Sequence, residues 1–132
     1  DWRNSALNYG YSIIRAVIAR DLSASGLIPA IGVHHKNQLN AFNLADDLIE
    51  PFRAFVDFEV YRMSQELEIP KIHELTFEHK VRLVELLQKS VKLNSDSSTL
   101  LNASSVVVSS LVNATKENNF LNFILPSYYY VK

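Results

Sequence analysis

The sequence predicts an all-α, mainly helical fold of four to six helices in one domain. Its 132 residues are enough for one compact domain and too few for two. Only 3 glycines and 4 prolines are present, which argues against a loop-rich or all-β protein. Apolar residues also recur at spacings of three and four over several long segments, which is typical of amphipathic helices.

The first helix is predicted over residues 4–24, and Ser25-Gly26 is predicted to end it because glycine readily takes the left-handed turn conformation. Its expected apolar face is formed by Ala6, Tyr9, Ile13, Ile14, Val17 and Ile18, with Arg20 in line. Gly10 disfavours a helix by about 1 kcal/mol relative to alanine. We therefore expect Gly10 to mark a close helix crossing that needs a small residue.

A loop or short helix is predicted over residues 27–39, followed by a helix that Asn43 can cap and that runs roughly to Gln65. Pro51 lies too deep for a harmless first-turn proline, so it should kink this helix or mark a restart. The residues expected to face the core are Phe52, Phe55, Val56, Val60 and Met63.

The second half predicts two further helices. Thr76 should cap a helix over residues 77–89, with Val81, Leu83, Val84, Leu86 and Leu87 inward. A short extended piece over 90–94 and a turn over 95–98 should follow, and then a helix over 100–115. That last helix should bury Leu101, Val108, Leu111 and Val112. We expect the domain to cover residues 1–125 and the Tyr-rich residues 126–132 to form a tail.

Bulk properties exclude several classes of protein. The net charge of −1 produces no global field that would attract nucleic acid, so any such binding needs a local basic surface. The lack of cysteine excludes disulfide scaffolds, zinc–thiolate sites and cysteine nucleophiles, and it is compatible with a cytoplasmic location. His-Glu-x-x-His and Gly-rich phosphate-loop patterns are absent, which disfavours a zinc protease and a nucleotide hydrolase. Since no apolar run approaches the length of a membrane span, we expect no membrane partner.

The candidate chemistry lies where His35 is followed fifteen residues later by Glu50. A loop histidine and carboxylates on the next helix can converge on one hard divalent cation such as Mg²⁺ or Mn²⁺. Asp47 and Glu50 are three residues apart, as are Glu50 and Arg53, and on a helix such pairs share a face. The plainer alternatives are a satisfied loop histidine, helix-dipole stabilisation by Asp46 and Asp47, and an ion pair of Arg53 with Glu50 or Asp57.

Three ordered blocks carry a resemblance to a known family. The blocks are Asn8-Tyr9-Gly10-Tyr11, residues 32–37 with His34-His35-Lys36-Asn37, and residues 42–53 from Phe42 to Arg53. Together they resemble the C-terminal helical domain of the CRISPR spacer-acquisition integrase, the first of the numbered Cas proteins. The double histidine with Lys36-Asn37 most resembles the subgroup found beside single-effector systems. The resemblance is strongest over residues 4–62.

This resemblance implies specific roles. His35 and Glu50 would be catalytic metal ligands for Mg²⁺ or Mn²⁺, Asp47 would be a third group near the ion, and Lys36 and Arg53 would contact nucleic acid. The family has another glutamate ligand upstream of the Asn8 block, and it has an N-terminal β-domain. Neither is found here, so we expect this chain to be an N-terminally truncated fragment that is inactive alone.

The function implied is that of an endonuclease and integrase for antiviral defence, which inserts spacers into CRISPR arrays by transesterification. The partners implied are double-stranded DNA, a second copy in a homodimer and the second Cas protein. The main alternative is a catalytically inert helical module that docks DNA or protein. A third possibility is a metal-dependent nuclease that does not integrate DNA.

Overall fold

The computed structural model describes residues 2–26, 45–66, 74–94, 96–119, 121 and 123–127. Four helices and a small antiparallel sheet account for most of these residues. In chain order they are α1 (Trp2–Ser25), α2 (Glu50–Glu66), α3 (Phe77–Glu85), a 3₁₀ turn (Leu86–Gln88), β1 (Ser90–Leu93), β2 (Asp96–Thr99), α4 (Leu100–Glu117) and β3 (Pro126–Ser127). The mainly α-helical fold class is confirmed.

Helix α1 is the central element, because α2, α3 and α4 all pack against it. It buries every fourth residue along one seam, and these residues are Trp2, Ala6, Gly10, Ile14, Ile18 and Leu22. The predicted face was therefore partly wrong: Tyr9, Ile13 and Val17 are half-buried beside the seam and Arg20 is exposed. Gly26, at φ +77°, ends the helix in the left-handed conformation, as predicted.

Gly10 lies where α1 crosses α2. A β-carbon built at this position would stand 2.5 Å from Cγ1 of Val56, which is fully buried. Val56 cannot easily move aside, since β-branched side chains have one preferred rotamer in a helix. The predicted role of Gly10 in a close helix crossing is therefore confirmed.

Helix α2 starts anew beside Pro51, which is one of the two predicted outcomes. Residues 45–48 form one helical turn, Ile49 interrupts it, and α2 begins at Glu50. The Ile49 carbonyl accepts hydrogen bonds from the amides of Phe52 and Arg53 at 2.7 and 3.0 Å. Pro51, which has no amide hydrogen to donate, thus falls in the first turn of a helix where that loss is harmless. The apolar residues predicted for α2 are all buried.

Helix α3 begins with a capping box. The Thr76 hydroxyl accepts from the His79 amide at 3.3 Å, while Nδ1 of His79 accepts from the Thr76 amide at 3.1 Å. The buried imidazole also stacks on the Trp2 ring, with centroids 4.8 Å apart. The predicted inward face was wrong for Val81 and Val84, which are exposed because α3 buries only one narrow side against α1.

The sheet corrects two predictions. Residues 95–98 were expected to be a turn, but Asp96–Thr99 forms β2 and pairs with β1, the predicted extended piece, in antiparallel register. Asn94, at φ 54°, makes the tight connection between the two strands. The first residues of the expected tail, Pro126–Ser127, form β3 and pair with the other edge of β1. Val91 and Leu93 point from β1 into the core.

Helix α4 packs against α1 and contributes the last part of the core. Thr99 caps it by accepting from the Asn102 amide at 3.2 Å, and Asn118 ends it in the left-handed conformation. Val108 and Val112 are buried as predicted, whereas Leu101 and Leu111 are only half-buried. The Ser104 hydroxyl donates to Asp21 on α1 at 3.0 Å, which fixes the helix pair at its polar rim.

A buried carboxylate joins α2 to the elements after it. Glu59 is 3% exposed and accepts from Arg82 on α3 at 2.7 Å and from Lys89 at 3.0 Å. Arg82 also reaches Glu66 at 2.7 Å. A buried charge is tolerated only when it is paired in this way, so the cluster fixes how α3 lies beside α2.

No helix among the described ranges has the length and apolar character needed to cross a membrane.

We predict that Gly10→Ala destabilises the protein by about 1–2 kcal/mol, because overpacking against Val56 exceeds the helix-propensity gain. Urea denaturation measures this change. The double variant Gly10→Ala/Val56→Ala should be more stable than the sum of its single variants by at least about 1 kcal/mol, since the clash is removed. Strictly additive effects would contradict the close crossing.

A second prediction concerns the capping box. Burial lowers the pKa of His79, although the charge of Glu78 acts in the opposite direction. The unfolded chain therefore binds the proton more readily, and stability is lost as pH falls below about 6.5, the ordinary value for histidine. Protonation also removes the acceptor at Nδ1. In His79→Gln, which keeps an acceptor at this position, stability should change less between pH 7.5 and 5.5 than in the wild type. Equal slopes in urea denaturation would count against this account.

Candidate metal and nucleic-acid site

The predicted site residues divide between two parts of the chain. Asp47 lies in the helical turn over residues 45–48, Glu50 is the first residue of α2, and Arg53 lies one turn further along. His35 and Lys36 lie outside the described residues.

Glu50 is accessible and carries an ion pair. Its side chain is 65% exposed, and Oε1 lies 3.0 Å from Nε of Arg53 in an ion pair. Glu50 is the acidic residue of the first turn of α2, where the helix dipole favours a negative charge. The ion pair expected as the plainer reading of Arg53 is thus present.

Asp46 forms an ion pair with a residue of α1. Its carboxylate pairs with Arg15 on α1, with Oδ1 at 2.5 Å from Nε and Oδ2 at 3.3 Å from Nη2. This pair ties the turn before α2 to α1 and leaves Asp47, the next residue, exposed. Of the two neighbouring aspartates, Asp47 is therefore the better candidate for a ligand.

Tyr11 links Arg53 to a second carboxylate. The Arg53 guanidinium carbon lies 4.8 Å from the centroid of the Tyr11 ring, in cation–π geometry. The Tyr11 hydroxyl donates a hydrogen bond to Oδ1 of Asp57. One tyrosine of α1 thus contacts two residues of α2 that lie a helical turn apart.

These contacts change the acidity of Tyr11. Burial, and then the hydrogen bond to Asp57 and its negative charge, raise the pKa of Tyr11 to about 12, while Arg53 acts in the opposite direction. The phenol is therefore a neutral hydrogen-bond donor at physiological pH. It can orient neighbouring groups, and it does not serve as a base.

Tyr11 and Asp57 received no site role from the sequence. A signal existed, since a glycine inside a helix indicates a close crossing and the residue beside it must lie near the partner helix. What the sequence lacks is the register of α1 on α2, which decides that Tyr11 reaches Asp57.

The donor chemistry suits a hard divalent cation. Asp47 and Glu50 are exposed carboxylates three residues apart, and Mg²⁺ and Mn²⁺ prefer oxygen ligands. Within the described ranges, however, no three residues of the types His, Cys, Asp and Glu are grouped so that they could hold a metal ion. The two carboxylates therefore need a further ligand.

Comparison with known proteins places this helical domain among the CRISPR-associated proteins. Residues 1–97 match the family model of the CRISPR associated protein Cas1. This range includes α1, α2, α3 and the three predicted metal-site residues, and it extends well beyond residue 62.

Individual relatives agree with this match. A protein of Neisseria meningitidis serogroup C (strain 8013) named CRISPR-associated endonuclease Cas1 is 36% identical over 123 residues, which are 93% of this chain and 40% of that protein. A CRISPR-associated endonuclease Cas1 of Pyrobaculum aerophilum is 35% identical over 65 residues, or 49% of this chain and 22% of the relative. One from Francisella tularensis subsp. novicida is 38% identical over 53 residues, or 40% and 17%.

The chain belongs to the Cas1 family. It spans about two fifths of the length of the Neisseria relative.

We predict that Asp57→Asn lowers the pKa of Tyr11 from about 12 toward its ordinary value of 10.0, because the carboxylate that holds the phenolic proton is removed. The shift should be partial, since burial remains. NMR of the tyrosine ring carbons up to pH 11 shows the change as an earlier onset of titration in the variant than in the wild type, and Tyr11→Phe identifies the signal. An unchanged titration in Asp57→Asn would contradict the assigned hydrogen bond.

Proposed function

We propose that this chain is part of the catalytic domain of a metal-dependent DNA integrase and endonuclease that inserts new spacers into CRISPR arrays. The match of residues 1–97 to the Cas1 family carries the proposal. The exposed carboxylates of Asp47 and Glu50 at the restart of α2 support it, because they leave room for an ion and a substrate.

The proposed cofactor is Mg²⁺ or Mn²⁺, held by His35 and Glu50 with Asp47 beside them. Such an ion supplies charge neutralisation at a phosphate and activation of an attacking oxygen. The exposed carboxylates of Asp47 and Glu50 fit this group, whereas a thiolate site is impossible in a chain without cysteine.

The proposed reaction is a transesterification. A DNA 3′-hydroxyl attacks a phosphodiester of the CRISPR repeat, and a new phosphodiester forms as another 3′-oxygen leaves. Since one phosphodiester replaces another, no nucleotide hydrolysis is needed. Lys36 and Arg53 would contact phosphates, which positions the DNA without reading its sequence. Attack by water in place of the 3′-hydroxyl would nick the strand instead.

The proposed partners follow from the family. They are double-stranded DNA, as spacer precursor and repeat, a second copy of the same chain in a homodimer, and the second Cas protein of the adaptation complex. The proposed location is the cytoplasm.

A strand-transfer assay tests the function. With Mn²⁺ and the full-length protein, His35→Ala and Glu50→Ala should each lower the yield of joined DNA by about a hundredfold or more, because each removes charge stabilisation from the reacting phosphate. Glu85→Ala removes the same side-chain type as Glu50→Ala from an exposed position at the end of α3, and this variant should join DNA as the wild type does.

Undiminished joining by both site variants would refute the site assignment. Cleavage of generic DNA without any joined product would instead favour a nuclease that has no integration role.

An inert interaction module is the alternative function. It is favoured by an apolar stripe on the outer side of α3, where Phe77 is 79% exposed and Val81 and Val84 follow at spacings of four and three. Loss of partner binding in Phe77→Ser, together with an absence of joined products in the wild type, would favour this alternative.

A further inference from the structure

We propose that Arg53, held on the Tyr11 ring, is the internal counter-ion of Glu50, and that Glu50 exchanges this partner for the divalent cation. The exchange releases the Arg53 guanidinium to a substrate phosphate. Tyr11 is then a positioning residue that acts through Arg53. This inference rests on the proposed function, since it takes Glu50 as a ligand of the cation.

Two contacts hold the Arg53 guanidinium in place. The edge of the Arg53 guanidinium faces Glu50, with Nε at 3.0 Å from Oε1, while the Tyr11 ring lies 4.8 Å from its central carbon. The ring in turn is held by the hydrogen bond from its hydroxyl to Asp57. Arg53 is therefore held by the Tyr11 ring of α1 and by Glu50 of its own helix.

The ion pair between Glu50 and Arg53 is weak. The Glu50–Arg53 pair is exposed, at 65% and 45% for the two side chains, and it spans only one helical turn. Exposed pairs of this kind contribute little to stability. A divalent cation has twice the charge of the guanidinium, so at equal distance its attraction to the carboxylate is twice as large. Glu50 can therefore change partners without disturbing α2.

Arg53 can stay in the site after Glu50 has exchanged it for the cation. Its contact with the Tyr11 ring does not involve Glu50, and an arginine stays charged and planar at any physiological pH. The donors that faced Glu50 become available in the place where a phosphate would lie against the ion. A guanidinium presents several such donors in a fixed fork that matches phosphate oxygens.

NMR of the full-length protein with ¹⁵N-labelled arginine tests the exchange. Arg53→Lys identifies the side-chain Nε–H signal of Arg53. Without metal, this signal should be separate from those of solvated arginines and slow to exchange with water. Added Mg²⁺ should move the signal and speed its exchange in the wild type. It should do neither in Glu50→Ala, a variant that alters only an exposed side chain.

A pair of variants tests the role of the ring without any metal. In Tyr11→Leu the Arg53 signal should join the solvated arginines, whereas Tyr11→Phe, which keeps the ring, should retain a separate signal. Tyr9→Leu is the matched control. It removes a half-buried ring two residues earlier on α1, one that lies 5.8 Å from the Lys80 ammonium and away from Arg53. It should leave the Arg53 signal in place.

A binding measurement gives the third readout. Mg²⁺ should strengthen the binding of a short DNA duplex about fivefold more in the wild type than in Arg53→Gln, because only the wild type gains a released guanidinium.

The results distinguish failure of the partner exchange from failure of the proposed metal site. If Mg²⁺ binds in a Glu50-dependent way and the Arg53 signal does not change, the exchange is wrong and the metal site stands. If calorimetry detects no Glu50-dependent binding of Mg²⁺, both are wrong. If Tyr11→Phe loses the signal as Tyr11→Leu does, the ring does not position Arg53. Should Tyr11→Leu fail to fold, the Mg²⁺ titrations of the wild type and Glu50→Ala still decide the exchange.

Discussion

The rest of the structure depends on how closely α1 approaches α2 at Gly10. Because this residue has no side chain, the two helices meet with Val56 directly against the α1 backbone. The neighbouring residues on both helices are then brought together, so that Tyr11 reaches Asp57 and Arg53. A larger residue at position 10 would separate the helices and would also move the ring on which the guanidinium rests. Packing in the core and geometry in the site are thus consequences of one contact.

A second constraint lies further along α2, at Glu59. Burial alone would raise the pKa of this carboxyl, but hydrogen bonds from Arg82 and Lys89, together with their charges, lower it further than burial raises it. Glu59 therefore stays ionised, and its stabilising effect is present above the ordinary carboxyl range and lost as pH falls below it. Two ion-pair groups on α2 accordingly differ in kind. The buried one fixes α3, whereas the exposed one at Glu50 is weak enough to rearrange.

Much of this fold could be predicted from local signals in the sequence. Apolar spacing located the helices, and Thr76, Gly26 and Pro51 marked where they start or end. The hairpin was missed because β2 consists of Asp96, Ser97, Ser98 and Thr99, which have the composition of a turn and form a strand only by pairing with β1. The site divides in the same way. The Glu50–Arg53 pair follows from helical spacing, while the contact of Tyr11 with Arg53 depends on the tertiary register of α1.

The position of Glu50 disfavours the binding of a cation by this carboxylate alone. It lies in the first turn of α2, where the helix end is partially positive, and Arg53 already satisfies it. Both effects oppose the approach of a positive ion. A metal must therefore gain most of its binding free energy from other ligands, which is the part proposed for His35 and Asp47. In the proposed arrangement Glu50 would bind an ion that its neighbours already hold, and Arg53 would then be released to a substrate phosphate.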